Sequence, residues 1–114
     1  MYISVLARTL RPGMSYRDFV DAWYPDRGFA MPGRGPTPHG SIANEREILA
    51  LGFVDLSDRR ELDEGLRRVA GQEAVRHERI DDVIESTQLR GIYEVLDEFD
   101  FSSDESVARG RPRP

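Results

Sequence analysis

The stretch "ILALGFV", residues 48 to 54, constrains this chain more than any other part of it. Read as a strand, it sends Leu49, Leu51 and Phe53 to one side and Ile48, Ala50, Gly52 and Val54 to the other. Both sides are apolar, so both are expected to be buried. The fold must therefore supply cover above and below one sheet. With 114 residues the chain has room for a single domain with a modest core, which makes double cover from within difficult.

The neighbouring segments supply the rest of an α+β pattern. "YISVLART" begins at residue 2, is rich in β-branched and aromatic residues, and stops at Pro12-Gly13, the signature of a strand and a turn. Ser15 can cap a helix whose first turn holds Asp18, and Tyr16, Phe19, Val20 and Trp23 fall at helical spacing before Pro25 ends it. Residues 25 to 40 hold four prolines and four glycines, which excludes a helix or a central strand and predicts a long loop rimming a pocket. "SIANE" and "EILALGFVDLS" then read as a hairpin with its corner near Glu45, Arg46 and Glu47. Ser57 or Asp58 caps a second helical region carrying Leu62, Leu66 and Val69. Gly71 is expected to interrupt it, and the helical pattern resumes through Val75, Ile80, Val83 and Ile84. A last strand is predicted from Leu89, in "LRGIYEVLDEF".

The order is β-α-β-β-α-β, a split βαβ arrangement: an antiparallel sheet with two helices on one face. One helical layer cannot cover both faces of the 48 to 56 strand. A second copy of the chain is the economical cover, so a homodimer with a barrel-like core between two sheets is expected. The domain is placed at residues 1 to 101, and 102 to 114, "SSDESVARGRPRP", is expected to be a disordered polar tail.

Composition narrows the function. The net charge of −5 argues against nucleic acid, which needs a basic face. All 16 cations are arginine, so Schiff-base chemistry and a lysine base are excluded, and the lack of cysteine removes thiolate nucleophiles and disulfides. No membrane-spanning run is visible, and the chain is expected to be soluble and cytoplasmic.

The chemistry-bearing candidates are few. His77, in "GQEAVRHER", carries an imidazole, the side chain that can take and return a proton near neutrality, and suits a general base, although its neighbours Arg76, Glu78 and Arg79 also fit a solvated helix edge. His39 stands at a loop-to-strand junction, able to reach a pocket mouth or solvent. Tyr24 or Tyr93 could donate to a developing oxyanion, and Trp23 could stack on a flat ring or simply fill the core. Arg27 and Arg34 could pair with a carboxylate or phenolate, or solubilise the loop. Nothing has metal-ligand spacing, even with Asp26 or Glu45 joined to the histidines, and no metal site is expected.

"RPGMSYRDFVDAWYPDRG" resembles the opening of EthD-like proteins at Pro12, Gly13, Phe19, Trp23 and Gly28, and departs from it at Arg27, where that family usually has histidine. With the element order, this makes residues 2 to 101 similar to the dimeric α+β barrel superfamily, a ferredoxin-like group that includes antibiotic-biosynthesis-monooxygenase-like, haem-degrading and polyketide-cyclase proteins. The resemblance implies a small-molecule pocket between sheet and helices, often without a cofactor, and a histidine role that carries over to His77. It implies a monooxygenase or cyclase acting on an aromatic or polyketide-like substrate. The alternatives are a non-catalytic ligand-binding or scaffold protein, or a haem-binding monooxygenase with a histidine as the proximal ligand.

Overall fold

The computed structural model describes residues 1 to 107. Its elements run β1 (Tyr2–Leu10), α1 (Tyr16–Trp23), β2 (Gly33–Gly40), β3 (Glu47–Val54), α2 (Arg59–Asp81) and β4 (Ile84–Glu94), giving an α+β fold with β-α-β-β-α-β order. The sheet is antiparallel with strand order β2-β3-β1-β4. That architecture is compatible with a ferredoxin-like arrangement.

Ser15 closes a capping box with Asp18 and starts α1, which buries Phe19 and Trp23 while Tyr16 stays exposed at the helix start. Asp58, not Ser57, caps α2 by accepting from the backbone N–H of Arg60 at 2.8 Å. The expected interruption at Gly71 is absent: α2 runs unbroken for 23 residues. A glycine inside a helix costs about 1 kcal/mol, and packing on both sides of it offsets that here. Leu62, Val69, Arg76 and Ile80 are all buried along one stripe that passes Gly71 without a break. Val83 and Ile84 fall outside the helix, and Ile84 opens β4 five residues before the expected start at Leu89.

Two further expectations are corrected. The sixteen-residue loop is half as long, because residues 33 to 40 form β2. This is an edge strand bonded only to β3, where Pro36 and Pro38 need not donate to a second neighbour. "SIANE" is a turn and not a strand: the Ser41 hydroxyl accepts from Ala43 and Asn44, and the Asn44 side chain accepts from Arg46. Gly33 pairs with Val54 at φ +147°, and a Cβ there would run into the carbonyl oxygen of Phe53. Gly33→Ala should detach the start of β2 and lower stability by about 1–3 kcal/mol in urea unfolding, whereas an unchanged midpoint would contradict this pairing.

The strand register decides which residues share a face. Leu10 and Ile48 lie on the side covered by both helices and form the core with Phe19, Trp23, Ile80 and Ile84. Beyond them, on the same side, the sheet carries Ser4, Leu6, Ala50 and Gly52. These are mostly small side chains, and they leave space beneath the N-terminal half of α2. On the opposite side Ile3, Val5, Ala7, Leu49, Leu51 and Phe53 are half-buried, and Leu89 and Tyr93 are exposed. Among the described residues no helix packs on that side.

Residues 95 to 107 contain neither helix nor strand. The end of the expected tail, 108 to 114, lies outside the described residues. Among the described residues no helix is long and apolar enough to cross a membrane.

Candidate functional site

The space under α2 is a cavity of about 380 Å³. Its apolar wall comes from Trp23 at the end of α1, Phe29 and Met31 in the loop, Leu62, Leu66 and Val69 on α2, and Leu6, Ala50 and Val54 on the sheet. Its polar end is built by Glu73, Arg76 and His77 of α2 and Arg90 of β4. Size and lining are those of a small-molecule site: mostly apolar, with a few convergent polar groups.

Glu73, Arg76 and His77 stand at i, i+3 and i+4, so one helical face presents all three inward. Arg76 donates from Nε and Nη2 to the two oxygens of Glu73 at 3.2 and 2.7 Å, and from Nη1 to the carbonyl of Trp23 at 2.8 Å. Its guanidinium also lies 5.5 Å from the ring centre of Phe29 and 6.0 Å from that of Trp23. A buried cation bonded through all three of its nitrogens and set near two aromatic rings holds the end of α1 and the loop against α2.

His77 sits between two charged partners. Its Nδ1 is 3.1 Å from Nη2 of Arg8, and its Nε2 is 3.2 Å from Oε2 of Glu73. A guanidinium can only donate, so Nδ1 must be the acceptor. The proton then belongs on Nε2, where Glu73 accepts it, and the tautomer follows from the two partners alone.

Arg8 is the unexpected member. It projects from β1 on the helix-covered side, is 3% exposed, and its Nε and Nη1 atoms are buried with no hydrogen-bond partner. Burial pulls its pKa down to about 10, with the positive charges of Arg90 and Arg76 adding to the effect. Burial alone would raise the Glu73 carboxyl, but the hydrogen bonds from His77 and Arg76 and the charges of both outweigh it and hold the group near 2. A carboxyl whose folded value is depressed contributes its stability above the ordinary 4.5 and loses it as the pH falls toward 2. Acid unfolding should therefore weaken the wild type by about 1–3 kcal/mol more than Glu73→Gln across that window. Parallel pH profiles of the two proteins would contradict it.

The structure brings three of the residues singled out from sequence to this cavity: His77, Trp23 and Arg34. Trp23 is both core and wall, 8% exposed and stacked on Phe19. Arg34 lies 4.6 Å over the Phe53 ring at the β2 edge. The others are elsewhere. His39 is on β2 on the far side of the sheet, paired with Leu49 and exposed, its Nδ1 3.2 Å from the Leu49 carbonyl. Tyr93 is also on the far side, opposite Ile3, and half exposed. Tyr24 and Arg27 line a second, more open cleft beside the cavity, which shares Trp23, Phe29 and Arg76 with it. Tyr24 is 65% exposed there.

Glu73, Arg76, Arg8 and Arg90 escaped the sequence reading. The first two were legible in "EAVRH", whose i, i+3, i+4 spacing marks one face once Gly71 is read through. Arg8 stood in the alternation Tyr2, Ser4, Leu6, Arg8, Leu10, a cation on the buried side of a strand. Among the described residues no group of three or more His, Asp or Glu side chains is placed to hold a metal ion. Comparison of the chain with protein-family models, with curated proteins and with solved structures finds no match.

Proposed function

We propose that this chain is a small-molecule enzyme, of the monooxygenase or cyclase kind, that abstracts a proton from a flat aromatic or polyketide-like substrate without a bound cofactor. The observation that carries the reading is the position of His77 on the wall of a largely apolar cavity, with Glu73 fixing one ring nitrogen. Substrate entry would exchange the partner of Nδ1. Arg8, behind the wall at His77, is the partner that Nδ1 gives up when it takes the proton from the carbon or hydroxyl beside the developing oxyanion. The imidazolium so formed is stabilised by Glu73, and the same proton is available for return. Trp23 and Phe29 provide ring faces for the substrate. Tyr24 and Tyr93 have no place in this scheme, since neither lines the cavity.

Proton abstraction can be read without knowing the natural substrate. The wild type, incubated in D₂O with a panel of bicyclic aromatic ketones, should accelerate deuterium incorporation at the carbon next to the carbonyl. Trp23, the chain's only tryptophan, reports occupancy by its fluorescence. Ketones that occupy the cavity and exchange no faster than in buffer would overturn the catalytic reading. One observation favours the second reading, a non-catalytic binding protein: both nitrogens of His77 already have partners within the chain.

The uncovered side of the sheet completes the proposal. A second copy supplies its cover, because the apolar residues Ile3, Val5, Leu49, Leu51 and Phe53 stand there with both helices committed to the other side. Light scattering at micromolar concentration should give twice the 13.0 kDa chain mass, and Leu51→Asp should return it to one chain. A wild type that runs as a monomer excludes this cover.

A further inference from the structure

The cavity is a cationic site in an acidic protein. Its lining holds three arginines, Arg34, Arg76 and Arg90, against one carboxylate, Glu73, and a fourth guanidinium, Arg8, stands one hydrogen bond behind the wall at His77. The chain as a whole carries −5. Arg76 spends its donors on Glu73 and Trp23, and Arg34 lies over Phe53. Two cations remain. Arg90, on exposed β4, makes no hydrogen bond or ion pair among the described residues. Arg8 is buried with Nε and Nη1 unpartnered, a state that leaves a charge uncompensated in a low dielectric. Both are on the same side of the sheet, Arg90 opposite Leu6 and Arg8 two residues further along β1.

Resting on the cavity reading above, we infer that the ligand is a monocarboxylic acid with a flat apolar body, its carboxylate at the Arg90–His77 end of the cavity, where Arg90 meets it on the wall and Arg8 supplies the charge behind. A planar oxyanion suits guanidinium donors better than a spherical anion does, because each oxygen can accept from a separate N–H. The apolar remainder of the wall excludes a small inorganic anion as the whole ligand, since Trp23, Phe29, Met31 and Leu62 would be left facing water. Burial is the main cause that depresses Arg8, and the repulsion from Arg90 and Arg76 that adds to it is what a bound carboxylate would relieve.

The test compares 2-naphthoate with 2-naphthamide, flat probes of nearly equal shape that differ in charge, titrated into the intact protein and followed by Trp23 fluorescence. The naphthoate should bind at least roughly tenfold more tightly, the usual worth of a charge-assisted hydrogen bond. Arg90→Gln, an exposed substitution that leaves the core untouched, should reduce that preference at least about threefold, and Arg8→Gln should do the same if the variant folds. Equal affinity for acid and amide would overturn the carboxylate assignment and leave the cavity reading intact. Binding of neither probe would overturn both. A preference that survives Arg90→Gln undiminished would remove Arg90 from the site and with it the inference.

Discussion

Arg76→Ala is expected to cost about 3–5 kcal/mol of stability, a large share of the total for a domain of this size. The guanidinium is 6% exposed, and it ties together three segments through Glu73, the Trp23 carbonyl and the faces of Trp23 and Phe29. Truncation strands a half-buried carboxylate that would keep only His77, and it leaves the last carbonyl of α1 unanswered. Chemical denaturation gives the number directly. A double-mutant cycle locates it: on a Glu73→Gln background the same truncation should cost at least about 1 kcal/mol less, because the stranded charge is already gone. A loss below about 1 kcal/mol for the single variant would mean that solvent replaces Arg76, and that the cavity's polar end is wetter than its burial indicates.

His77→Gln should lower the exchange rate of a competent ketone by roughly a hundredfold to ten-thousandfold while leaving its binding nearly unchanged. Glutamine is the informative replacement. Its side-chain oxygen can still accept from Arg8 and its amide can still donate to Glu73, so the network survives while the basic lone pair is lost. Alanine confounds the two roles, because it leaves Arg8 with no hydrogen-bond partner at all and should cost about 1–3 kcal/mol of stability as well. A glutamine variant that turns over like the wild type would assign His77 a purely structural place between Arg8 and Glu73. Nitrogen NMR of the wild-type ring offers a check that needs no substrate: Nε2 should carry the proton and Nδ1 should not.

Much of this fold is legible in the sequence because most elements obey one period each. β1, α1 and β3 follow directly from alternation or helical spacing, and the order of all six elements with them. The failures share a cause: positions where something other than hydrophobic burial chose the residue. β2 is written in proline and glycine because an edge strand has only one neighbour to bond and must pass the backbone of β3 closely at Gly33. α2 looked like two helices because Gly71 reads as a break and Val75, expected to face inward beyond it, is exposed, while the inward positions there are Glu73, Arg76 and His77, polar where the period calls for apolar. The apparent break in the pattern is the site itself. His77 and Trp23 could be reached from sequence because their residue types suggest chemistry. Arg8 was harder to reach, since only its place in the alternation Tyr2, Ser4, Leu6, Arg8, Leu10 marks it as inward, and a charge in a strand otherwise reads as surface.

The unbroken run of α2 has a consequence for how such a chain could change over time. One end of the helix, at Ile80, belongs to the core cluster with Leu10, Phe19 and Ile84, while the other, at Leu62 and Leu66, lies outside that cluster and walls the cavity. At 1.5 Å per residue these ends are about 27 Å apart, beyond the range over which substitutions usually influence one another. The rigid rod thus separates two kinds of inheritance. Exchanges at the half-buried Leu66 and Met31 can reshape what the cavity admits, one residue at a time, with little demand on the packing around Ile80. A lineage built on this scaffold is free to diversify its ligands from the amino end of α2 while its carboxyl end stays constant.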